Sequence, residues 1–266
     1  MEEKKIGVIH YNFSFKEFAE FVDWCCQNQV FYVEIQSSTL IRPDSQPEKE
    51  AEKLSTLLSK NKIRVSQLSA GNDFVQKTSQ DMEVQMEKLK LVCRLAHLLQ
   101  TDQLRIDGGW PKEGVEADKY GQLILDGLLR TVSLAEKENL YLALDNHGVI
   151  TNDYQFQLEL IIKVNSSRLG VNLDTMNYAW YGYSVDHLPI IYETMAPFTR
   201  HTHLKDGTGT RSNYRGKVLG EGEIPLKDAI SALQNNHYKG VWCIEYEGPD
   251  KESGYSRCVQ WLRKNI

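Results

Sequence analysis

Four segments place acids and imidazoles at the ends of short apolar runs: Leu142-Ala-Leu-Asp145-Asn-His147-Gly148, Val171-Asn-Leu-Asp174, His201-Thr-His203-Leu-Lys205-Asp206 and Ile244-Glu245-Tyr-Glu247-Gly248. If these runs are consecutive strands of one parallel sheet, each delivers a metal-ligating side chain to the same edge. Three carboxylates and one imidazole form a hard donor set, which favours Mn²⁺, Mg²⁺ or Co²⁺ and accommodates Zn²⁺ or Fe²⁺. Four protein ligands leave about two positions of an octahedral ion for water or for two vicinal substrate oxygens. That arrangement suits a hydroxy-ketone. Each residue alone has an ordinary explanation, since a strand-end Asp often caps the next helix and a strand His often makes a core hydrogen bond. Their coincidence at four successive strand ends argues for a metal site.

The elements that must position these residues are legible as an alternation of β-rich apolar runs with amphipathic stretches. Strands are predicted over 5–10, 30–35, 62–68, 103–107, 140–145, 169–174, 198–204 and 241–247. Helices are predicted over 15–27, 48–60, 79–99, 119–138, 154–164, 185–195, 226–235 and 255–264. Alternating strands and helices imply parallel pairing through right-handed crossovers. Eight units point to a closed α/β architecture, a (β/α)₈ TIM barrel occupying residues 1–266 as a single domain. An open doubly wound sheet usually has fewer strands and a Gly-rich turn after the first; here that position reads His10-Tyr-Asn-Phe13. In a closed barrel the interior is packed, so chemistry belongs at the C-terminal strand ends and the loops that follow.

Bulk properties bound the partner. The 266 residues are 41% hydrophobic and 25% charged with a formal net charge of −5, which opposes a nucleic-acid partner and fits a small polyhydroxy molecule. No run approaches the roughly 18 apolar residues of a membrane span, and Ile6-Gly-Val-Ile9 is short for a signal segment and follows acidic residues. The expected location is cytoplasmic, and a homo-oligomer is compatible with it. Five cysteines without a Cys-x-x-Cys spacing read as buried small side chains.

Taken together, Leu-Asp-Asn-His-Gly, Gly-Val-Asn-Leu-Asp, His-Thr-His-Leu-Lys-Asp, the turn Gly220-Glu-Gly-Glu-Ile-Pro225 and Ile-Glu-Tyr-Glu-Gly resemble the xylose isomerase-like barrel superfamily across essentially the whole chain. That group holds sugar phosphate isomerases and epimerases, inosose dehydratases and apurinic endonucleases. The resemblance implies metal ligation by Asp145, Asp174, His203 and Glu245, while Glu247, on the same side of the strand by its period of two, is the substitute for Glu245. It also implies proton transfer next to a carbonyl by acids on the fifth and eighth strands, here Asp145 and Glu245. The sequence departs from the family at Asp145, usually Glu, and at Asn177, commonly His. Lys205, two residues after His203, could polarise a substrate oxygen, act as an acid, or serve as an ion-pair partner. His147, His10, Gln67 and Arg215 fall at strand ends or rim loops and are expected to contact substrate. The implied activity is an isomerase or epimerase of a small sugar, keto-sugar or sugar phosphate. A dehydratase on the same metal site is the alternative, and a non-catalytic sugar-binding barrel is a further one. Endonuclease chemistry fits poorly, because the second to fourth strands lack histidine.

Overall fold

The structure, a computed structural model, describes residues 4–266. Eight parallel strands form the barrel: β1 (Ile6–Ile9), β2 (Tyr32–Gln36), β3 (Arg64–Ser69), β4 (Gln103–Ile106), β5 (Tyr141–Asp145), β6 (Leu169–Asp174), β7 (Thr199–His203) and β10 (Trp242–Ile244). They are ordered β10-β1-β2-β3-β4-β5-β6-β7. The ring closes between β7 and β10, where the Leu204 amide donates to the Cys243 carbonyl at 2.7 Å and the Glu245 amide to the Leu204 carbonyl at 3.0 Å. A barrel strand is covered by helices outside and side chains inside. Accordingly β6, Leu-Gly-Val-Asn-Leu-Asp, is buried at all six positions.

The helices are α1 (Phe18–Gln27), α2 (Pro47–Lys60), α3 (Ser79–Leu98), α4 (Tyr120–Lys137), α5 (Tyr154–Val164), α6 (Asn177–Tyr181), α7 (Leu188–Met195), α8 (Leu226–Asn235) and α9 (Lys251–Asn265). Their starts follow local chemistry: Thr78 accepts from the Asp81 amide, and Asp153 from the Gln155 amide. Asn165, at φ 46°, ends α5 in the left-handed conformation that Asn tolerates.

The predicted (β/α)₈ architecture is the observed one, with boundary shifts of a few residues. The first predicted helix begins at Phe18 rather than Phe15, the last at Lys251 rather than Tyr255, and the eighth strand ends at Ile244. Two features were not anticipated. One is the short helix α6; the other is an antiparallel hairpin of β8 (Asp206–Thr208) and β9 (Arg215–Lys217). Asp206 holds this region together, accepting from the amides of Gly207, Gly220, Gly222 and Ile224 at 2.8–3.2 Å. The Gly220-Glu-Gly turn is thus structural, and Gly222 is required there, because a Cβ would lie 2.1 Å from Asp206 Oδ1.

Two irregularities in register matter for the site. β2 pairs Val33 with Val65 and then Glu34 with Gln67, passing over Ser66; β6 pairs Val171 with Thr199 and then Asn172 with His201, passing over Arg200. Such bulges re-aim side chains. Here they turn Glu34, Gln67, Asn172 and His201 into one buried polar layer inside the barrel.

Candidate metal centre

The polar layer is continuous. Gln67 Nε2 donates to Glu34 Oε2 at 2.7 Å and to Asn172 Oδ1 at 3.0 Å, and Asn172 Nδ2 donates to Asp145 Oδ1 at 2.8 Å. His201 has both ring nitrogens engaged, with Asn172 Oδ1 at 3.0 Å and Ser66 Oγ at 3.1 Å. The layer fixes the groups above it: Asp145 through Asn172, and His203 through a 2.6 Å contact of its Nε2 with Glu34 Oε2. A carboxylate behind a histidine orients the ring and sets its tautomer.

At the mouth, Asp174 (β6), His203 (β7) and Glu245 (after β10) bring one ligand atom each within 4.8 Å of one another. His203 Nδ1 lies 2.9 Å from Glu245 Oε2. Asp174 Oδ1 accepts from the Met176 and Asn177 amides at 2.8 and 2.9 Å, so only its Oδ2 is spare. Asp145 stands on the adjacent strand with Oδ2 turned to Arg105 Nη1 at 3.5 Å and His147 Nδ1 at 3.9 Å. Asp174 Oδ2 is buried without a hydrogen-bond partner among the described residues, whereas Asp145 Oδ2 faces the Arg105 guanidinium and His203 Nδ1 faces the Glu245 carboxylate. Buried polar atoms normally find partners, so the spare Asp174 oxygen beside His203 and Glu245 fits a cation that would bind there.

Charge points the same way. Glu34, Asp107, Asp145, Asp174 and Glu245 are buried carboxylates, against the buried cations Arg105 and Lys205. In the metal-free protein this excess is partly met by protons. Burial pushes Asp174 up to about 7, though Lys205 opposes it, and burial also raises Asp107. For His203 burial is overcome by the charges of Glu34 and Glu245, which hold it well above the ordinary imidazole range. Glu34 is held down at about 2 despite its burial, because His203 and Arg105 favour its charged form.

Lys205 is fully buried, with Nζ 3.3 Å from Glu245 Oε1, 2.9 Å from Glu247 Oε2 and 4.3 Å from the centre of the Trp180 ring. Burial would lower its pKa, but Glu245, Asp174 and Glu247 raise it above the usual lysine range. Lys205 is a fixed positive charge rather than a ready acid. Glu245 and Glu247, both just past the end of β10, reach it, yet only Glu245 joins the grouping with Asp174 and His203.

The expected substrate contacts separate. His147 lines a mouth cavity of about 440 Å³ together with Tyr11, Arg105, Asp107, Trp110 and Glu245. His10 faces the neighbouring groove of about 580 Å³, packed on Phe18 and Phe21, with Tyr11 common to both cavities. Gln67 is fully buried in the polar layer and does not reach the mouth. Arg215 is exposed on the hairpin and is not among the mouth residues. Asn177, where the family commonly has His, is buried at the start of α6 with Oδ1 unpartnered. Glu34, Arg105 and Asp107 were not expected from the sequence. Their one signal is a charged residue within an otherwise apolar β-run, as in Tyr32-Val-Glu34-Ile.

Among the described residues no helix is long and apolar enough to cross a membrane. The sequence matches none of the curated proteins. In three dimensions the chain resembles a probable 3-DHS dehydratase, AsbF, involved in petrobactin synthesis in Bacillus anthracis, with a TM-score of 0.80, 17% identity and coverage of 97% of this chain and 98% of that one. D-psicose 3-epimerase of Clostridium cellulolyticum H10, solved with D-tagatose, gives 0.80 at 14% identity, covering 98% and 99%. The IolI protein, solved with a bound zinc atom, gives 0.76 at 16% identity, covering 98% and 96%. Residues 10–265 match the family described as xylose isomerase-like TIM barrel, and the chain belongs to that family.

Proposed function

We propose that this protein is a divalent-metal-dependent isomerase or epimerase acting on a small sugar or keto-sugar by proton transfer next to a carbonyl. The observation that carries the reading is the buried grouping of Asp174, His203 and Glu245, whose ligand atoms lie within 4.8 Å of one another, with Asp174 Oδ2 left without a hydrogen-bond partner. Asp174, His203 and Glu245 hold the ion, with Asp145 on the adjoining strand completing the acid set. When bound, the ion supplies the positive charge that stabilises a developing enediolate oxygen. Mn²⁺, Mg²⁺ or Co²⁺ suits the three oxygens and one nitrogen, and the structurally similar IolI protein was solved with a bound zinc atom.

The chain's own residues do the rest. Glu245 lies beside Lys205, which keeps its carboxylate charged and able to accept a proton. Asp145, anchored by Asn172 at 2.8 Å, is the second acid. Two acids with different partners can remove and return a proton from different sides of a substrate. Lys205 polarises a substrate oxygen, and Trp110 and His147 wall the mouth. A dehydratase reading uses the same base to expel a neighbouring hydroxyl, and the AsbF likeness favours keeping it as the second reading.

The test is solvent deuterium wash-in at the carbon next to the carbonyl, screened over ketoses, keto-inositols and their phosphates with Mn²⁺. Wild type should exchange that hydrogen, and Glu245→Gln should slow turnover on the order of 10²-fold or more while metal binding falls much less. Equal exchange by the variant would place the base elsewhere.

A further inference from the structure

Three carboxylate oxygens near the mouth lack a hydrogen-bond donor: Glu34 Oε1, Asp107 Oδ1 and Asp145 Oδ2. Two of them, Glu34 Oε1 and Asp145 Oδ2, face Arg105, itself 6% exposed. Its Nη1 donates to Tyr11 Oη at 3.1 Å and lies 3.2 Å from Glu34 Oε1 and 3.5 Å from Asp145 Oδ2. The carboxylate contacts are not aligned as hydrogen bonds, and Nε is unpartnered as well. Arg105 therefore acts on these acids as a charge more than as a fork of donors. A guanidinium does not lose its proton in a protein.

We propose that Arg105 is the resident cation between Glu34 and Asp145 and that its charge keeps a second ion from these carboxylates, limiting the barrel to one. The inference rests on the metal reading above and goes beyond it. Metal ions of a two-metal site sit roughly 3.5–4 Å apart and share carboxylates and substrate oxygens. A second ligand grouping, Glu34 with His201 and His203, does exist beside the first. It is closed to an ion: His201 spends both nitrogens on Asn172 and Ser66, and Glu34 Oε2 takes His203 and Gln67. The remaining Glu34 oxygen faces Arg105. Because Arg105 also lines the mouth cavity, its charge is available to a substrate oxygen on the β4 side.

The experiment is Mn²⁺ titration of wild type, Arg105→Lys and Arg105→Gln, read by equilibrium binding and by electron paramagnetic resonance. Wild type and the Lys variant should take one ion up to millimolar Mn²⁺, with the spectrum of an isolated ion. Arg105→Gln should take a second ion at least tenfold more tightly than any further binding by wild type, with a spin-coupled signal. Arg105→Met, which also removes the charge but keeps an apolar stem, is read the same way if the Gln variant fails to fold. One ion in every charge-removed variant that folds overturns the proposal, as do two coupled ions in wild type. A wild type that binds no Mn²⁺ instead refutes the metal reading, and this inference falls with it.

Discussion

Glu34→Gln removes a negative charge from behind His203 with almost no change in volume. In the native protein Glu34 Oε2 lies 2.6 Å from His203 Nε2, and both side chains are at most 1% exposed. With a metal bound, a proton on Nε2 would leave the Nδ1 lone pair to the ion, on the side of Asp174 and Glu245. Hydrogen bonds to charged groups contribute about 1.5–3 kcal/mol. Partners behind a metal-ligating histidine typically change metal affinity by about 10–100-fold. The Gln amide oxygen can still accept from Nε2, so the ring should keep its place while losing the charge that raises its basicity. Mn²⁺ affinity should therefore fall by about 10–100-fold, or roughly 1.4–2.7 kcal/mol. Gln67 loses a charged acceptor and Arg105 one of its two carboxylates, so the melting temperature should fall as well. The assay is chelator competition for Mn²⁺ beside differential scanning calorimetry. A dissociation constant within about threefold of wild type would refute the argument that Glu34 tunes His203 as a ligand.

Asp174→Ala should abolish tight Mn²⁺ binding and leave the far-ultraviolet helix signal intact, and chelation of the wild type should lower its melting temperature without erasing that signal; unchanged metal content in the variant would place the site elsewhere. His10, lowered by burial to about 4, stays neutral in the folded chain while an unfolded chain takes up its proton near 6.5. Its contribution is complete above pH 6.5 and is lost as pH falls toward 4, so between pH 7 and 5 wild type should lose about 2 kcal/mol more stability in urea than His10→Gln. Equal losses would contradict that assignment. Asp206→Ala strips the acceptor from the amides of Gly207, Gly220, Gly222 and Ile224, and should cost about 2–4 kcal/mol by urea denaturation, with partial recovery in Asp206→Asn. A cost below about 1 kcal/mol would show the turn is held by other contacts.

The sequence by itself determined the eight barrel strands and the main helices between them, because short apolar β-rich runs and amphipathic runs of period 3.6 are local properties, whereas α6 and the β8–β9 hairpin were not legible in it. It also placed Asp145, Asp174, His203 and Glu245 at strand ends, since those ends are where the apolar runs stop. Which side chains face one another across the ring was not local. Glu34 stands 169 positions from its partner His203, and Arg105 stands 94 from Tyr11 and on a different strand from Glu34 and Asp145. Closing the sheet between Leu204 and Ile244 brings these residues together. The bulges at Ser66 and Arg200 decide the rest, and nothing in either residue announces one. They draw Gln67 into the polar layer instead of the mouth and set Glu34 behind His203. Strand ends depend on the chain's own periodicity, whereas the groups that tune those ends depend on register and closure, which only the packed barrel fixes.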